Sequence, residues 1–143
     1  MMRADFDRVT GLLGRPGTVH LAGVDGSDAR GSAATVVLAY PNAFARLSGS
    51  ALMPQPYGMR GGLRATFTDG LLEYAMSAGF TGQGPATTLT EHTSERERPL
   101  ELSSTSPYDA MIDHVLACLT GEAENLIEPA SAIRALELTL QVH

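Results

Sequence analysis

The chain has 143 residues, the length of one ordinary domain, and a globular chain of this size buries roughly 70% of the surface that its unfolded form exposes. Hydrophobic residues make up 43% and charged residues 18%, a balance that indicates a folded chain and excludes intrinsic disorder. The net charge of -6, with ten scattered arginines and no lysine, argues against a nucleic-acid partner and excludes chemistry that needs a lysine base.

The N-terminal segment changes from a helical to an extended pattern. Apolar residues at helical spacing predict a short helix over residues 5–13, which Gly14 and Pro16 end. Residues 17–24 (GTVHLAGV) then predict an edge strand. His20 lies in this strand without a second ligand at a metal-like spacing, so we interpret it as a surface or cross-strand residue.

The stretch from residue 33 to residue 74 predicts a run of antiparallel strands. β-branched and aromatic residues precede a turn at Pro41-Asn42, and an extended pattern over residues 44–53 returns as the second half of a hairpin. Residues 59–67 alternate again, and a tight turn at residues 68–70 leads into the next strand.

The C-terminal half changes from strands to helices. Residues 75–85 are a glycine-rich excursion, and two further short strands are predicted over residues 86–92 and 98–102. Two helices follow, one starting at Pro107 and the other at Pro129, because proline suits the first helical position and apolar residues recur behind it.

These elements predict an α+β fold that consists of an open, mostly antiparallel β-sheet with helices packed on one face. The helices at the two chain ends need an apolar surface to cover, and the sheet has one face to bury. We expect a single domain over residues 1–143. No apolar run has the roughly 18 residues that a membrane span requires.

The loop over residues 54–60 is the most interesting candidate site. It interrupts the predicted sheet between two long strands. It contains Tyr57 and Arg60, whose side chains end in polar groups. Its two prolines reduce the entropy cost of ordering the loop, as suits a ligand site. A plain connection between strands is the alternative interpretation.

Other chemistry is not supported by the sequence. There is no nucleophile elbow, and glycines at 82 and 84 do not continue into a dinucleotide fingerprint. The histidines at 92, 114 and 143 are far apart, so no metal site is expected. The single cysteine, Cys118, lies in an apolar helical pattern, which predicts a buried and inert thiol.

Several strings together resemble one family. These are LLGRP at the end of the first helix, the strands of residues 33–74, and the final segment SPYDAMIDHVLACLTGEAENLIEPASAIRALELTL. They resemble the C-terminal domain of the Gfo/Idh/MocA oxidoreductases, which are NAD(P)-dependent sugar and inositol dehydrogenases and their relatives. The most specific string is a proline-started helix reading AIRALELTL after a G-E-x-x-x-x-I-x-P segment. The resemblance extends from about residue 5 to about residue 140.

This resemblance implies an open antiparallel sheet with helices on one side and oligomer contacts on the other. It places a substrate between this domain and a preceding Rossmann domain. It assigns no catalytic or cofactor-binding residue here: the glycine motif and the Glu-Lys-Pro segment of the family have no match. The family's histidine falls at Ala4, although Asp5-Phe6-Asp7 matches the string that follows. No cofactor is therefore expected, and NAD or NADP would be bound only if a Rossmann-domain partner supplied the site.

Two functional hypotheses follow. In the first, the domain is not catalytic alone, associates as a homo-oligomer through its open sheet face, and binds a small ligand or partner through Tyr57 and Arg60. In the second, it is the substrate-binding component of an NAD(P)-dependent sugar or polyol dehydrogenase that a separate or missing Rossmann domain completes. A truncated product of a longer gene is a third interpretation. The N-terminus lacks a signal-peptide pattern, so the expected location is the cytoplasm, with neither a nucleic acid nor a membrane as partner.

Overall fold

The computed structural model describes residues 3–25, 31–54, 57–79, 84–126 and 129–141. Its helices are α1 (Arg3–Leu13), α2 (Pro107–Thr120) and α3 (Pro129–Gln141). Its strands are β1 (Thr18–Asp25), β2 (Ser32–Tyr40), β3 (Ala43–Ser50), β4 (Met59–Phe67), β5 (Gly70–Ala78), β6 (Ala86–Thr93) and β7 (Glu97–Pro99). Every pair of neighbouring strands is antiparallel, so the predicted open α+β class is confirmed.

The described strands form two sheets, whereas the sequence predicts a single sheet. One sheet has the order β1-β2-β3 and the other the order β4-β5-β6-β7. The strand expected to reach Met53 ends at Ser50, whose Oγ accepts a hydrogen bond from the backbone N–H of Leu52 at 3.2 Å. This local bond replaces strand pairing where the first sheet ends.

The chain divides into two compact units. The first unit, Met1–Met53 with Thr120–His143, contains the three-stranded sheet together with α1 and α3. The second unit, Pro54–Leu119, contains the four-stranded sheet and almost all of α2. Each unit is described separately below.

Two strand boundaries in the second unit differ from the expectation. β5 continues to Ala78, although the sequence predicts a glycine-rich excursion from residue 75 onward. This strand lies between β4 and β6, so pairing on both edges outweighs the weak strand propensity of its small residues. β7 ends at Pro99, before the predicted limit of Leu102. The possible fingerprint glycine at position 82 lies outside the described residues.

The core of the first unit lies between its sheet and the two helices. Val36 and Leu38 of β2 are fully buried, and Phe6 of α1 is 1% exposed. Leu47 of β3 pairs with Val36 in the sheet and adds to the same face, while α3 contributes two further buried side chains. Burying one large apolar side chain contributes roughly 1.5–3 kcal/mol. The helices from the two ends of the chain thus hold one face of the sheet.

Backbone hydrogen bonds anchor the segment that follows α1. Gly14 has φ 77°, and its N–H donates to the Thr10 carbonyl at 2.9 Å, which ends the helix in the left-handed conformation that glycine favours. The Tyr40 hydroxyl donates to the Gly14 carbonyl at 3.3 Å, and the Gly17 N–H donates to the Ala39 carbonyl at 2.9 Å. The segment is therefore tied to the end of β2 on both sides.

The apolar stripe of α2 is exposed. Its six large apolar side chains, which the sequence places at helical spacing, are 45% to 79% exposed, and α2 has no buried residue. The six are Tyr108, Met111, Ile112, Val115, Leu116 and Leu119. Among the described residues, no helix has the length and hydropathy needed to cross a membrane.

The core of the first unit predicts a large difference between two leucine truncations. Leu38→Ala should lower the free energy of unfolding by about 2–5 kcal/mol, because it leaves a cavity beneath both helices. Leu21→Ala on edge strand β1 is the matched control, since Leu21 is 48% exposed and should cost about 1 kcal/mol or less. Urea unfolding followed by circular dichroism measures both, and equal losses would contradict the assigned core.

Candidate functional site

The two predicted ligand-binding residues lie next to each other at the start of the four-stranded sheet. The guanidinium carbon of Arg60 is 5.1 Å from the centroid of the Tyr57 ring, a cation–π contact. Arg60 is a strand residue paired with Ser77, although the sequence analysis assigns it to a loop. Within the described residues Arg60 forms no ion pair, so its N–H groups are available to a ligand. Of the predicted loop, Gln55 and Pro56 lie outside the described residues.

A glycine between these two residues determines how the pair is presented. Gly58 has φ 75°, and a Cβ atom at this position would lie 2.7 Å from the carbonyl oxygen of Ala78. Any other residue would meet both backbone strain and a steric clash. The Tyr57 N–H donates to the Pro54 carbonyl at 2.9 Å, which holds the turn from its other side. The aromatic ring is 46% exposed and can stack against a ligand.

The same sheet face carries a second set of polar residues. Side chains alternate along β4, so Arg60 and Arg64 point to one face with Gly62 between them. The strand register places Ala75 and Thr88 beside Gly62. All three of these small residues are exposed. They leave a flat, solvent-exposed surface between the two arginines.

Four charged or titratable residues follow one another across the four strands at this face. Arg64 of β4 contacts Glu73 of β5 at 2.5 Å. His92 of β6 lies 3.9 Å from Glu73 through Nε2 and 3.6 Å from Glu97 of β7 through Nδ1. We call Arg64, Glu73, His92 and Glu97 the polar row.

Arg64 lowers the pKa of the Glu73 carboxyl. The hydrogen bond from Arg64, and then its positive charge, hold the pKa of the Glu73 carboxyl below its ordinary value of 4.5. Glu73 is therefore ionised at neutral pH and serves as an acceptor. The two side chains remain largely in contact with solvent, so the pair adds little to folding stability.

His92 is the residue of the polar row with an unused hydrogen-bonding atom. Its Nε2 is shielded from solvent and has no hydrogen-bond partner among the residues that the structure describes. A shallow depression of about 600 Å³ lies at the β4–β5 turn and includes His92 among its lining residues.

The sequence pattern alone does not predict the polar row, although the pairing of Arg64 with Glu73 within one hairpin is a local feature. The turn at residues 68–69 fixes the register of β4 and β5, so Arg64 must lie opposite Glu73 once the hairpin is recognised. His92 and Glu97 join through β6 and β7, and their positions depend on the register of these strands with β5.

The other candidate residues do not converge. His20 is exposed on edge strand β1. Cys118 is half-buried, whereas the sequence predicts a buried thiol, and its Sγ lies 3.5 Å from His114 Nε2 one helical turn away. The described residues contain no group of three or more His, Cys, Asp or Glu side chains that could hold a metal ion. His143 lies outside the described residues.

Removing the partner of Glu73 should raise the pKa of its carboxyl. In Arg64→Gln the carboxyl loses a charged donor, so its pKa should move up toward 4.5, as carboxyl ¹³C NMR titration can measure. The lowered pKa of Glu73 stabilises the fold at pH values above the ordinary carboxyl pKa. This small contribution is lost as the pH falls through the folded-state pKa.

Arg98→Gln is the matched control for this titration. Arg98 pairs with Glu91 at 2.9 Å on the opposite face of the same sheet, so its removal should leave the pKa of Glu73 unchanged. An equal shift of the Glu73 pKa in both variants would show that general charge, and not the Arg64 contact, determines it.

Comparisons by sequence give no relative. No family model matches the chain, and no curated protein matches it.

Comparison by fold gives matches that cover almost the whole chain. UDP-N-acetylglucosamine 3-dehydrogenase from Acidithiobacillus ferrooxidans matches with a TM-score of 0.71 and 23% identity, over 99% of this chain and 44% of that one. A biliverdin reductase from Synechocystis, solved with biliverdin and NADP+, matches with a TM-score of 0.69 and 18% identity, over 98% and 44%. The aldose–aldose oxidoreductase of Caulobacter crescentus, complexed with glycerol, matches with a TM-score of 0.69 and 16% identity, over 98% and 42%.

These structural neighbours are oxidoreductases of the Gfo/Idh/MocA type. The chain spans less than half the length of each of them. The fold implied by the sequence resemblance is thereby confirmed.

Proposed function

We propose that this chain is an oxidoreductase C-terminal-like domain that is not catalytic alone and acts as an oligomerisation and small-ligand-binding module. The observation that carries the proposal is the unequal coverage: nearly all of this chain matches only 44% of the dehydrogenase from Acidithiobacillus ferrooxidans. The resemblance assigns no catalytic residue, and Ala4 stands at its histidine position. We further propose that the domain acts in the cytoplasm.

The oligomer contact in this proposal uses the outer face of the three-stranded sheet. The core occupies the other face, so side chains that alternate outward remain uncovered by α1 and α3. They include Val24, which is 62% exposed, and Phe44, which is 75% exposed. A shallow trough of about 600 Å³ crosses this face and is lined mostly by small residues. An uncovered sheet face that carries large exposed apolar side chains is suited to pairing with a second copy.

A charge placed on this face should separate the copies. Phe44→Asp should weaken self-association by about tenfold or more, because it puts a carboxylate into an apolar contact. Leu12→Asp on α1 is the matched control, since Leu12 is also 75% exposed and lies away from the sheet. Size-exclusion chromatography with light scattering measures the mass over a concentration series. A monomeric parent chain, or equal effects of the two substitutions, would refute this contact.

The ligand in this proposal is a polar, hydroxyl-bearing molecule held by Tyr57 and Arg60. The ring offers a stacking surface, the Arg60 guanidinium offers donors, and Glu73 of the polar row offers an ionised acceptor on the same face. Two structural neighbours are, by their names, enzymes of a sugar nucleotide and of aldoses. UDP-N-acetylglucosamine is therefore the first probe.

The probe should stabilise the parent chain and not the site variants. At about ten times the dissociation constant, a bound ligand should raise the melting temperature by roughly 4 °C. Arg60→Gln and Tyr57→Leu should remove this shift, whereas Arg96→Gln, an exposed arginine of the same unit, should keep it. An unchanged shift in Arg60→Gln would refute the assignment of this residue.

The second candidate is the substrate-binding component of an NAD(P)-dependent sugar or polyol dehydrogenase, completed by a Rossmann-domain partner. The exposed apolar stripe of α2 favours it, because such a stripe is suited to burial against another domain. In this case NAD or NADP is bound by the partner. Isothermal titration calorimetry separates the candidates: tight NADH binding by the chain alone would contradict the non-catalytic proposal.

A further inference from the structure

Two arginines from distant parts of the sequence line one cleft in the first unit. Arg15 follows the end of α1, and Arg134 lies in the middle of α3. Both belong to strings that support the family resemblance, LLGRP and AIRALELTL, yet neither residue has a role in the proposed function. Packing of α1 against α3 brings the two strings together.

The backbone on both sides of the cleft is held in place. Arg15 and Pro16 lie between Gly14 and Gly17, each of which is hydrogen-bonded to the end of β2. Arg134 is followed directly by Ala135, which is 2% exposed in the core. Both arginines therefore extend from rigid supports, and ordering them around a ligand costs little backbone entropy.

The charges around the cleft are not balanced. Within the described residues, neither Arg15 nor Arg134 forms an ion pair with a carboxylate. Glu137 is the one carboxylate among the lining residues, and Pro16 and Leu138 add apolar walls. Two positive charges against one negative charge leave the cleft with an excess of hydrogen-bond donors.

A helix-dipole explanation accounts for only one of the two arginines. A cation just beyond the C-terminus of α1 is favourable there, which suits Arg15. Arg134 is six residues into the thirteen of α3, too far from the helix end for this effect. Its half-buried position in a cleft that Arg15 also lines calls for another partner.

We propose that Arg15 and Arg134 bind a small oxyanion, with one oxygen atom inside the cleft and the rest of the anion at its mouth. The enclosed space is about 10 Å³, which suits a single oxygen atom or water molecule and excludes a larger group. The planar fork of a guanidinium group can donate to two oxygen atoms of a phosphate or a carboxylate at once. The ligand class is therefore a phosphoryl or carboxylate group, in a unit separate from Tyr57 and Arg60.

Inorganic phosphate and acetate are the probes for this site. Isothermal titration calorimetry with the full chain, at ionic strength held constant with sodium chloride, should show saturable binding of at least one of them. Binding of phosphate alone identifies a phosphoryl site, and binding of acetate alone identifies a carboxylate site. If neither anion binds above the chloride background, the proposal is wrong.

Single substitutions test whether the two arginines act together. Arg15→Gln and Arg134→Gln should each weaken binding by about tenfold or more. Arg8→Gln removes the same charge from an exposed position of α1 outside the cleft and should leave affinity unchanged. If all three variants weaken binding equally, the effect is general charge and the site is refuted.

Arg134→Lys keeps the charge and removes the planar fork, so it should bind more weakly than the parent and more tightly than Arg134→Gln. Arginine side-chain ¹⁵N NMR on the parent chain gives an independent reading that needs no variant. The Nε resonances of Arg15 and Arg134 should shift together as the anion is added, with that of Arg8 unchanged. Saturable binding that leaves both resonances unmoved would overturn the proposal.

Discussion

The burial of two β2 side chains beneath helices from opposite ends of the chain is the contact on which the first unit depends. Val36 and Leu38 are completely removed from water, and they are covered by Phe6 of α1 and Leu138 of α3. Neither helix would be stable alone at its length, since short isolated helices are marginal in water. The same packing brings the end of α1 beside α3 and so creates the cleft between Arg15 and Arg134.

The second unit depends more on strand register than on burial. Its described residues contain no buried side chain, and its functional interest lies on an exposed sheet face. Because neighbouring strands place directly opposed residues on one face, residues separated along the chain become a continuous polar row. The tight position of Gly58 beside the Ala78 carbonyl places Tyr57 at one end of that face.

The two units divide the candidate functions between them. The first unit offers an uncovered sheet face for self-association and a cationic cleft for an oxyanion. The second offers an aromatic ring, a guanidinium stacked on it and an ionised carboxylate for a polar ligand. Structural neighbours with less than 25% identity support the fold, so these functions rest on the residues themselves.

The sequence by itself determined the element types and most of their limits, because turn residues and hydrophobic period act locally. β4 has the predicted limits of 59–67, and α2 and α3 begin at the predicted prolines, Pro107 and Pro129. Only the tertiary structure decided that the strands form two sheets and that Arg15 and Arg134 line one cleft. Those features join residues through packing and register over long sequence separations, and no local propensity encodes them.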